Sequence, residues 1–248
     1  MDKTNLAFKC NFCNGGRTKT NYGYNGVCSD DVIKHNMTKA KYDWCSQPRC
    51  SCNQYFKKKI SRQELDEMYN KEGSVCYESA MLNKWCALAG ENNNGPRAGE
   101  VRTIKNSDFG SLALLSLVTP MDEEKNRRIF ALFIIDDYFE GGFTEDGYEQ
   151  AGYVACNSDY KLNFTRAETN DLRFWDYYSN GNTTDCRWGS GLFRYLSDEQ
   201  AAQILKQAVK VKRGTEDEEL ALEILQYFCK AHRINMDIIS EPSGSRIH

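Results

Sequence analysis

The clearest pattern of hydrophobic positions lies in the middle of the chain. Two apolar, partly β-branched runs, SLALLSLVT at 111–119 and RRIFALFIID at 127–136, are separated by a charged turn that contains proline. Such runs predict adjacent antiparallel strands. The segments GYVACN and YKLNF predict two shorter strands after the acidic loop FEGGFTEDGYEQ. The second half of the chain is therefore predicted to contain a mostly antiparallel sheet.

Several segments carry the residue pairs that begin helices. Ser61 and Glu64 form a capping box, which predicts a helix through about Asn70. A second helix is predicted from about Cys76 to Ala89, since apolar residues there lie near one helical face. Three later helices are predicted to open at similar pairs, which are Thr165 with Glu168, Ser197 with Gln200, and Thr215 with Glu218. An apolar stripe in the last of them is expected to pack in the core: Leu220, Ile224, Tyr227 and Phe228.

The first 60 residues show little hydrophobic periodicity and are rich in Asn, Gly, Lys and Cys. They are predicted to form loops and short turns whose folding free energy comes from metal binding. The stretch ENNNGPRAGE at 91–100 has the composition of a linker. We therefore predict a cysteine-rich basic module with two helices over residues 1–95, and a domain with C-terminal helices over residues 96–248. The predicted fold class is α+β.

Composition narrows the class of protein. The chain has 248 residues, of which 40% are hydrophobic, with 18 glycines, four prolines and a net charge of -3. These values exclude collagen-like and wholly disordered chains. No apolar run approaches the roughly 18 to 20 residues of a membrane span, and the N-terminus lacks the apolar core of a signal peptide. A cytoplasmic protein with no membrane partner is expected.

Positive charge is concentrated near the N-terminus. Residues 1–60 contain nine lysines and two arginines against four aspartates, although the whole chain is slightly acidic. A basic module can hold a polyanion through its own field, so nucleic acid is a candidate partner. Lys57, Lys58 and Lys59 are the candidate phosphate contacts. The alternative is that this short run is an ordinary solvated surface.

Six of the eleven cysteines fall in the same 60 residues: Cys10, Cys13, Cys28, Cys45, Cys50 and Cys52. In a reducing compartment, such density predicts a thiolate metal site, and zinc is the expected ion. Zinc needs four ligands, so the six candidates leave open which of them bind and whether there is one site or two. An iron–sulfur cluster is the alternative cofactor. Free buried cysteines or disulfides are the alternatives without metal, and His35 is a candidate nitrogen ligand or a packing residue.

An aromatic cluster between residues 174 and 195 is the most unusual feature of the second half of the chain. Its rings alternate with Arg187 and Arg194, a combination that suits stacking on an extruded base while a guanidinium meets phosphate. Trp188 is the favoured functional ring. The alternative for Phe174, Trp175 and Tyr178 is the apolar side of a helix packed on the sheet.

Catalytic signatures are mostly absent from the sequence. No phosphate-binding loop, nucleophile elbow or HExxH motif is present, and only three histidines occur. Asp136 and Asp137 could bind Mg2+ with Glu78 and Asp108, although acidic residues that end a strand are the favoured interpretation. Cys76 is a weak candidate nucleophile, since no partner base is identifiable, and a ligand or packing role is favoured for it.

The order of strands and the segment WGSGLFRYLSDEQAAQIL resemble the PUA-like superfamily, in particular EVE-type domains that are attached to modification-dependent restriction systems. The resemblance covers roughly residues 100–210. It implies a small, strongly curved sheet flanked by helices, with a modified or flipped base bound in an aromatic pocket. The positions carried over as pocket or backbone contacts are Trp175, Trp188, Phe193, Arg194 and Tyr195.

The sequence also departs from the EVE pattern. An EVE domain needs no cysteine-rich module, and no nuclease domain is found, so a separate nuclease subunit is the expected source of any cleavage. Three hypotheses follow. The first is a non-enzymatic reader of nucleic acid, expected to be DNA. The second is an enzyme, either a metal-dependent nuclease or an iron–sulfur protein that processes DNA. The third is a protein-interaction adaptor stabilised by zinc.

Overall fold

The computed structural model describes residues 5–92, 95–181, 184–189 and 191–247. The chain divides into two compact units. The sheet unit takes in Met1–Cys10, Ala87–Gly90 and Val101–His248, and the cysteine unit takes in Asn11–Cys86 and Glu91–Glu100. This division differs from the predicted one at residue 95, because the first strand of the chain belongs to the sheet unit.

A mixed five-stranded sheet forms the centre of the sheet unit. In spatial order its strands are β10 (Phe193–Leu196), β1 (Asn5–Lys9), β3 (Leu112–Leu117), β4 (Arg128–Ile134) and β9 (Lys161–Asn163). β1 runs parallel to β3, whereas the other neighbours are antiparallel. The predicted strands at 111–119 and 127–136 and their antiparallel pairing are confirmed. β1 was not predicted.

Two amphipathic helices supply apolar residues to the core of this unit. They are α7 (Asp198–Lys212) and α8 (Glu218–His232). Ala202, Ile204 and Leu205 of α7 and Ile224 and Phe228 of α8 are buried in the same cluster as the sheet residues. Tyr227, which was expected in the core with this stripe, is instead 41% exposed.

The three predicted capping pairs of this unit are followed by helices of different lengths. At Ser197 both hydrogen bonds of the box are present, and α7 follows for 15 residues. At Thr165 both bonds also form, but only a short 3-10 turn follows, Glu168–Asp171. At Thr215 the helix begins later, after Asp217. The one-turn helix α6 (Phe174–Tyr177) follows the 3-10 turn and precedes α7 in the chain.

The remaining strands of the described chain are short. β2 (Cys86–Leu88), β8 (Tyr153–Ala155) and β5 (Asp137–Phe139) form a three-stranded sheet. β6 (Gly142–Phe143) and β7 (Glu149–Gln150) form a two-stranded ribbon. The strands predicted from GYVACN and YKLNF are therefore confirmed as β8 and β9.

The cysteine unit contains five helices within its described residues: α1 (Asp30–Thr38), α2 (Asp43–Ser46), α3 (Ser51–Phe56), α4 (Arg62–Glu72) and α5 (Met81–Lys84). The prediction for α4 is confirmed, since Ser61 and Glu64 form the capping box and Gly73 ends the helix in the left-handed conformation. The prediction that residues 1–60 contain only loops and turns is wrong, because α1, α2 and α3 lie there.

The predicted helix from Cys76 to Ala89 is also wrong. A 3-10 turn, Glu78–Ala80, leads into the single turn of α5, and Trp85 then adopts a positive φ of 43°. Its left-handed backbone ends the helix, and the next residues form β2 instead. Pairing with β8 therefore overrides the helical pattern of this segment.

The α+β class is confirmed by these elements. No helix in the part of the chain that the structure describes is long and apolar enough to cross a membrane.

Candidate metal centre

A small cavity in the cysteine unit is lined by five cysteines and one glutamate, together with Asn11, Phe12, Ile33, Asn36 and Met37. Cys13 and Cys28 flank a glycine-containing loop, Cys45 lies in α2, and Cys52 lies in the first turn of α3. The segment after α4 adds two more groups. The groups that line the cavity and can bind a metal are Cys13, Cys28, Cys45, Cys52, Cys76 and Glu78.

The loop after Cys13 is shaped by close backbone contact. A Cβ atom on Gly15 would lie 1.8 Å from the carbonyl oxygen of Gly26, so a side chain at this position cannot be accommodated. The backbone N–H groups of Asn14 and Gly15 hydrogen-bond the Cys28 thiol, and that of Gly15 also bonds Cys13. Donors aimed at a sulfur stabilise its thiolate form.

The thiols around the cavity form a hydrogen-bonded network. The sulfurs of Cys13 and Cys28 are 3.1 Å apart. Their hydrogen bond raises the pKa of Cys13 and lowers that of Cys28. The bond between Cys50 and Cys52 lowers the pKa of Cys50 to about 7, and it raises the pKa of Cys52. Cys76 also hydrogen-bonds Cys52. The sulfurs thus form two hydrogen-bonded groups, one of Cys13 and Cys28 and one of Cys50, Cys52 and Cys76.

Two oxygen-bearing side chains at the cavity are buried. Glu78 is 6% exposed, and burial raises the pKa of its carboxyl group. Asn36 also lines the cavity, and its buried Oδ1 atom has no hydrogen-bond partner within the described part of the chain. No lysine, arginine or histidine is among the residues that line the cavity. The thiolates and the Glu78 carboxylate could therefore compensate a bound cation, and no basic side chain among the lining residues would repel it.

The side chains do not stand in a formed coordination geometry. No group of three or more His, Cys, Asp or Glu side chains within residues 5–92, 95–181, 184–189 and 191–247 is arranged to hold a metal ion. Tetrahedral zinc with bonds of about 2.3 Å needs sulfurs about 3.8 Å apart. The 3.1 Å between Cys13 and Cys28 is shorter. The residue types fit zinc, but the thiols bond each other and must rotate to bind it.

The predicted ligands are brought together only in part. Cys13, Cys28, Cys45 and Cys52 line the cavity, and Cys50 is hydrogen-bonded to Cys52. Cys10 belongs to the sheet unit, where its thiol lies 3.9 Å from the carbonyl oxygen of Phe8. Its role as a ligand stays a prediction. His35 is not among the residues that line the cavity.

Cys76 was not among the six candidate ligands near the N-terminus, although a ligand or packing role was favoured for it, and it occupies a central position. It interacts with Cys13, Cys45 and Cys52. It is 24 positions beyond Cys52 and belongs to no local cysteine motif. The one local signal is the spacing Cys76-x-Glu78, which places two groups capable of binding metal in one short turn.

The three candidate phosphate contacts in the cysteine unit are exposed. Lys57, Lys58 and Lys59 follow the last residue of α3, and their backbone N–H groups bond carbonyl oxygens of that helix. Lysines are favoured at the negative end of a helix dipole, so their position also has a local structural reason.

The two tryptophans proposed for the base pocket lie in the core of the sheet unit. Trp175 is 0% exposed and Trp188 is 1% exposed. Trp188 packs 4.8 Å from the ring of Phe174, and its indole N–H donates to the carbonyl oxygen of Gly191. A base cannot stack on a ring that is covered on both faces. This burial counts against both tryptophans in a base pocket, and it confirms the core alternative for Phe174 and Trp175.

The other residues of the predicted pocket are more accessible. Tyr195 is 42% exposed, and its hydroxyl donates to the carbonyl oxygen of Lys105. Phe193 and Arg194 are partly buried. The Arg187 side chain is 80% exposed and lies 3.6 Å from Asp185. Their contact with nucleic acid stays a prediction.

The carboxylates considered for Mg2+ are distributed over both units. Asp136 accepts hydrogen bonds of 2.7 Å from the backbone N–H groups of Asn157 and Ser158. Burial acts to raise the pKa of Asp136, but these donors hold it below its usual value. Asp137 begins β5, and Asp108 accepts from the N–H of Phe109. The backbone bonds of Asp136 agree with the favoured interpretation of a carboxylate that organises the end of a strand.

Comparison with known proteins adds no family to this description. The chain matches no family model, no curated protein and no solved structure.

Proposed function

We propose that the cysteine unit binds a metal ion through thiolates. The observation that carries this proposal is the cavity lined by five cysteines and the buried Glu78, without a basic side chain among its lining residues. Thiolates are the ligands preferred by zinc and by iron–sulfur clusters, and metal binding would contribute folding free energy to a unit with short helices.

A single zinc ion is the preferred occupant. The cavity has a volume of about 10 Å³, which is close to the space of one water molecule. This size favours one ion over a cluster of several iron and sulfide atoms. Four of the six clustered cysteines would complete a zinc site. Cys76 is included because it hydrogen-bonds Cys52 and interacts electrostatically with Cys13.

Replacing Cys76 with serine is expected to weaken the binding of zinc. The wild-type protein, purified anaerobically, should be colourless and contain about one zinc per chain. The affinity of Cys76→Ser for zinc should fall by at least about tenfold. Even the loss of a residue that only hydrogen-bonds a metal ligand typically lowers metal affinity by about that factor. Metal content is measured by elemental analysis, and affinity by competition with a chelator.

Cys229→Ser is the matched control, since Cys229 is a buried cysteine of α8 in the sheet unit. It should retain the metal. A wild-type protein without metal, or a Cys76→Ser protein with undiminished zinc affinity, would contradict the proposal. A brown protein with iron and sulfide would replace zinc by the iron–sulfur alternative.

We further propose that the protein binds nucleic acid, for which DNA is the preferred partner. The supporting observation is that Lys57, Lys58 and Lys59 are exposed and that none of them forms an ion pair with a described residue. A PUA-like sheet, a modified base as the ligand, a nuclease subunit as the partner and a cytoplasmic location all belong to this proposal. They rest on the resemblance to EVE-type domains and on the sequence.

Charge reversal tests the binding of nucleic acid. A triple variant with glutamate at positions 57, 58 and 59 should bind a DNA oligonucleotide more weakly at low salt. The plot of log K against log salt concentration should become less steep, by about 0.9 in slope for each lysine that contacts a phosphate. Fluorescence anisotropy over a salt series measures both quantities.

The control reverses three exposed lysines of the sheet unit, Lys105, Lys210 and Lys230. This triple variant makes the same change in net charge. Equal losses in the two variants would indicate a general field effect, and unchanged affinity in the first would favour the protein-interaction adaptor.

A further inference from the structure

A cluster of basic side chains lies at one end of the five-stranded sheet. Lys9 is the last residue of β1, and its backbone N–H donates to the carbonyl oxygen of Leu192. Arg194 of β10 pairs with Ala7 of β1. Because side chains alternate between the faces of a strand, Ala7, Lys9 and Arg194 lie on the same face.

A third basic group, Arg127, is buried beside them and is already paired. Its guanidinium makes two hydrogen bonds to Glu124, of 2.6 and 2.8 Å. It also bonds Ser116 of β3 and lies 4.7 Å from the centre of the Trp188 ring. Arg127 and Glu124 therefore neutralise each other.

Lys9 and Arg194 have no such acidic partner. Neither forms an ion pair with a described residue, and both are partly buried. The Arg194 guanidinium donates to the carbonyl oxygen of Trp188 and lies 5.7 Å from that ring. Burial lowers the pKa of Lys9, the charges of Arg127 and Arg194 lower it further, and Glu124 opposes them. Three positive charges against one negative charge leave two positive charges.

Partly buried basic groups that repel one another are unfavourable unless an anion compensates them. The loop beside Arg194 leaves room for its guanidinium. A Cβ atom on Gly191 would lie 2.8 Å from one terminal nitrogen of Arg194, and one on Gly189 would lie 3.0 Å from the other. Glycine at both positions thus lets the backbone lie close to this guanidinium.

We infer that Lys9 and Arg194 bind a phosphate group beside the Arg127–Trp188 stack. A phosphate dianion matches the excess of two positive charges, and a guanidinium and an ammonium are both good phosphate donors. The phosphate comes either from inorganic phosphate or from a nucleic acid. This site is independent of the proposed metal, and only its nucleic-acid form rests on the proposed binding of nucleic acid.

Calorimetric titration of the purified protein with inorganic phosphate tests the site. Lys9→Met keeps the length of the apolar stem and removes the charge. It is expected to weaken phosphate binding at least tenfold, which corresponds to about 1.4 kcal/mol. Lys210→Met removes the same charge from an exposed position of α7 and should bind like the wild type.

Lys9→Arg keeps the charge and should restore most of the affinity, which separates loss of charge from a defect in folding. The site is refuted if the wild type does not bind phosphate, or if Lys9→Met and Lys210→Met bind it equally. A DNA oligonucleotide that phosphate displaces, and that Lys9→Met binds weakly, identifies nucleic acid as the source. Binding of phosphate without such displacement identifies the free anion. Failure of the Lys57–Lys59 experiment leaves the phosphate titration unaffected, so the two proposals are tested separately.

Discussion

Replacing Lys212 with alanine is expected to lower the free energy of unfolding by about 3 to 5 kcal/mol. The Lys212 side chain is 4% exposed, and its ammonium lies 3.3 Å from Glu168 and 2.9 Å from Asp217. It also donates to the carbonyl oxygen of Asn163. Truncation leaves the Glu168 carboxylate, which is 12% exposed, without its cation. An uncompensated buried charge is the main reason for the large effect.

Urea unfolding followed by circular dichroism measures this loss. Lys210→Ala is the matched control, because Lys210 is exposed on the same helix and should change stability by less than about 0.5 kcal/mol. Lys212→Met keeps an apolar stem and removes the ammonium, which lies 5.2 Å from the centre of the Phe164 ring, and so isolates the contribution of the charge. A loss at Lys212 no larger than at Lys210 would show that the ion pairs contribute no net stability.

Replacing Trp188 with alanine is expected to lower the free energy of unfolding by about 3 to 5 kcal/mol. The side chain is 1% exposed, so its removal leaves a cavity between aromatic and basic neighbours. The Trp188→Ala variant also loses the hydrogen bond of 2.7 Å to Gly191 and the stacking of Arg127 over the indole ring. The effect should appear in the absence of any nucleic acid.

The adjacent Arg187 provides the control for Trp188. Its side chain is 80% exposed, and Arg187→Ala should change stability by less than about 0.5 kcal/mol. Urea unfolding of both variants gives the comparison. A small effect of Trp188→Ala would mean that this ring is exposed in solution, as a base pocket requires, and the burial described above would then be wrong.

Local hydrogen bonds explain which helices were predictable. In α4 and α7, a side chain and a backbone N–H three residues apart satisfy each other, so the start of the helix depends on nearby residues alone. The same pair at Thr165 forms, yet the helix does not continue. Soon after it, Phe174 donates its N–H to the carbonyl oxygen of Arg127, and Arg173 bridges to Arg128. These contacts with a distant segment end the turn.

The candidate site also depends on contacts between distant residues, which the sequence does not reveal. The density of cysteines near the N-terminus predicted a thiolate site, and four of the predicted ligands do line one cavity. Cys76 joins them only because the fold returns the chain to the cavity after α4, and no spacing rule contains that information. Trp188 looked functional in a segment of glycines and polar residues, but its burial depends on Phe174 and on Arg127, which is 61 positions earlier.

The sequence by itself therefore determined the α+β class, the strands β3 and β4, the capped helices α4 and α7, and the grouping of thiols in one region. Apolar runs and capping pairs act over a few residues, which is why they can be identified without a structure. The tertiary structure alone decided the place of β1 between β3 and β10, the inclusion of Cys76, and the meeting of Lys9 with Arg194. Each of these depends on contacts between residues far apart in the chain, and such contacts form only when the core is assembled.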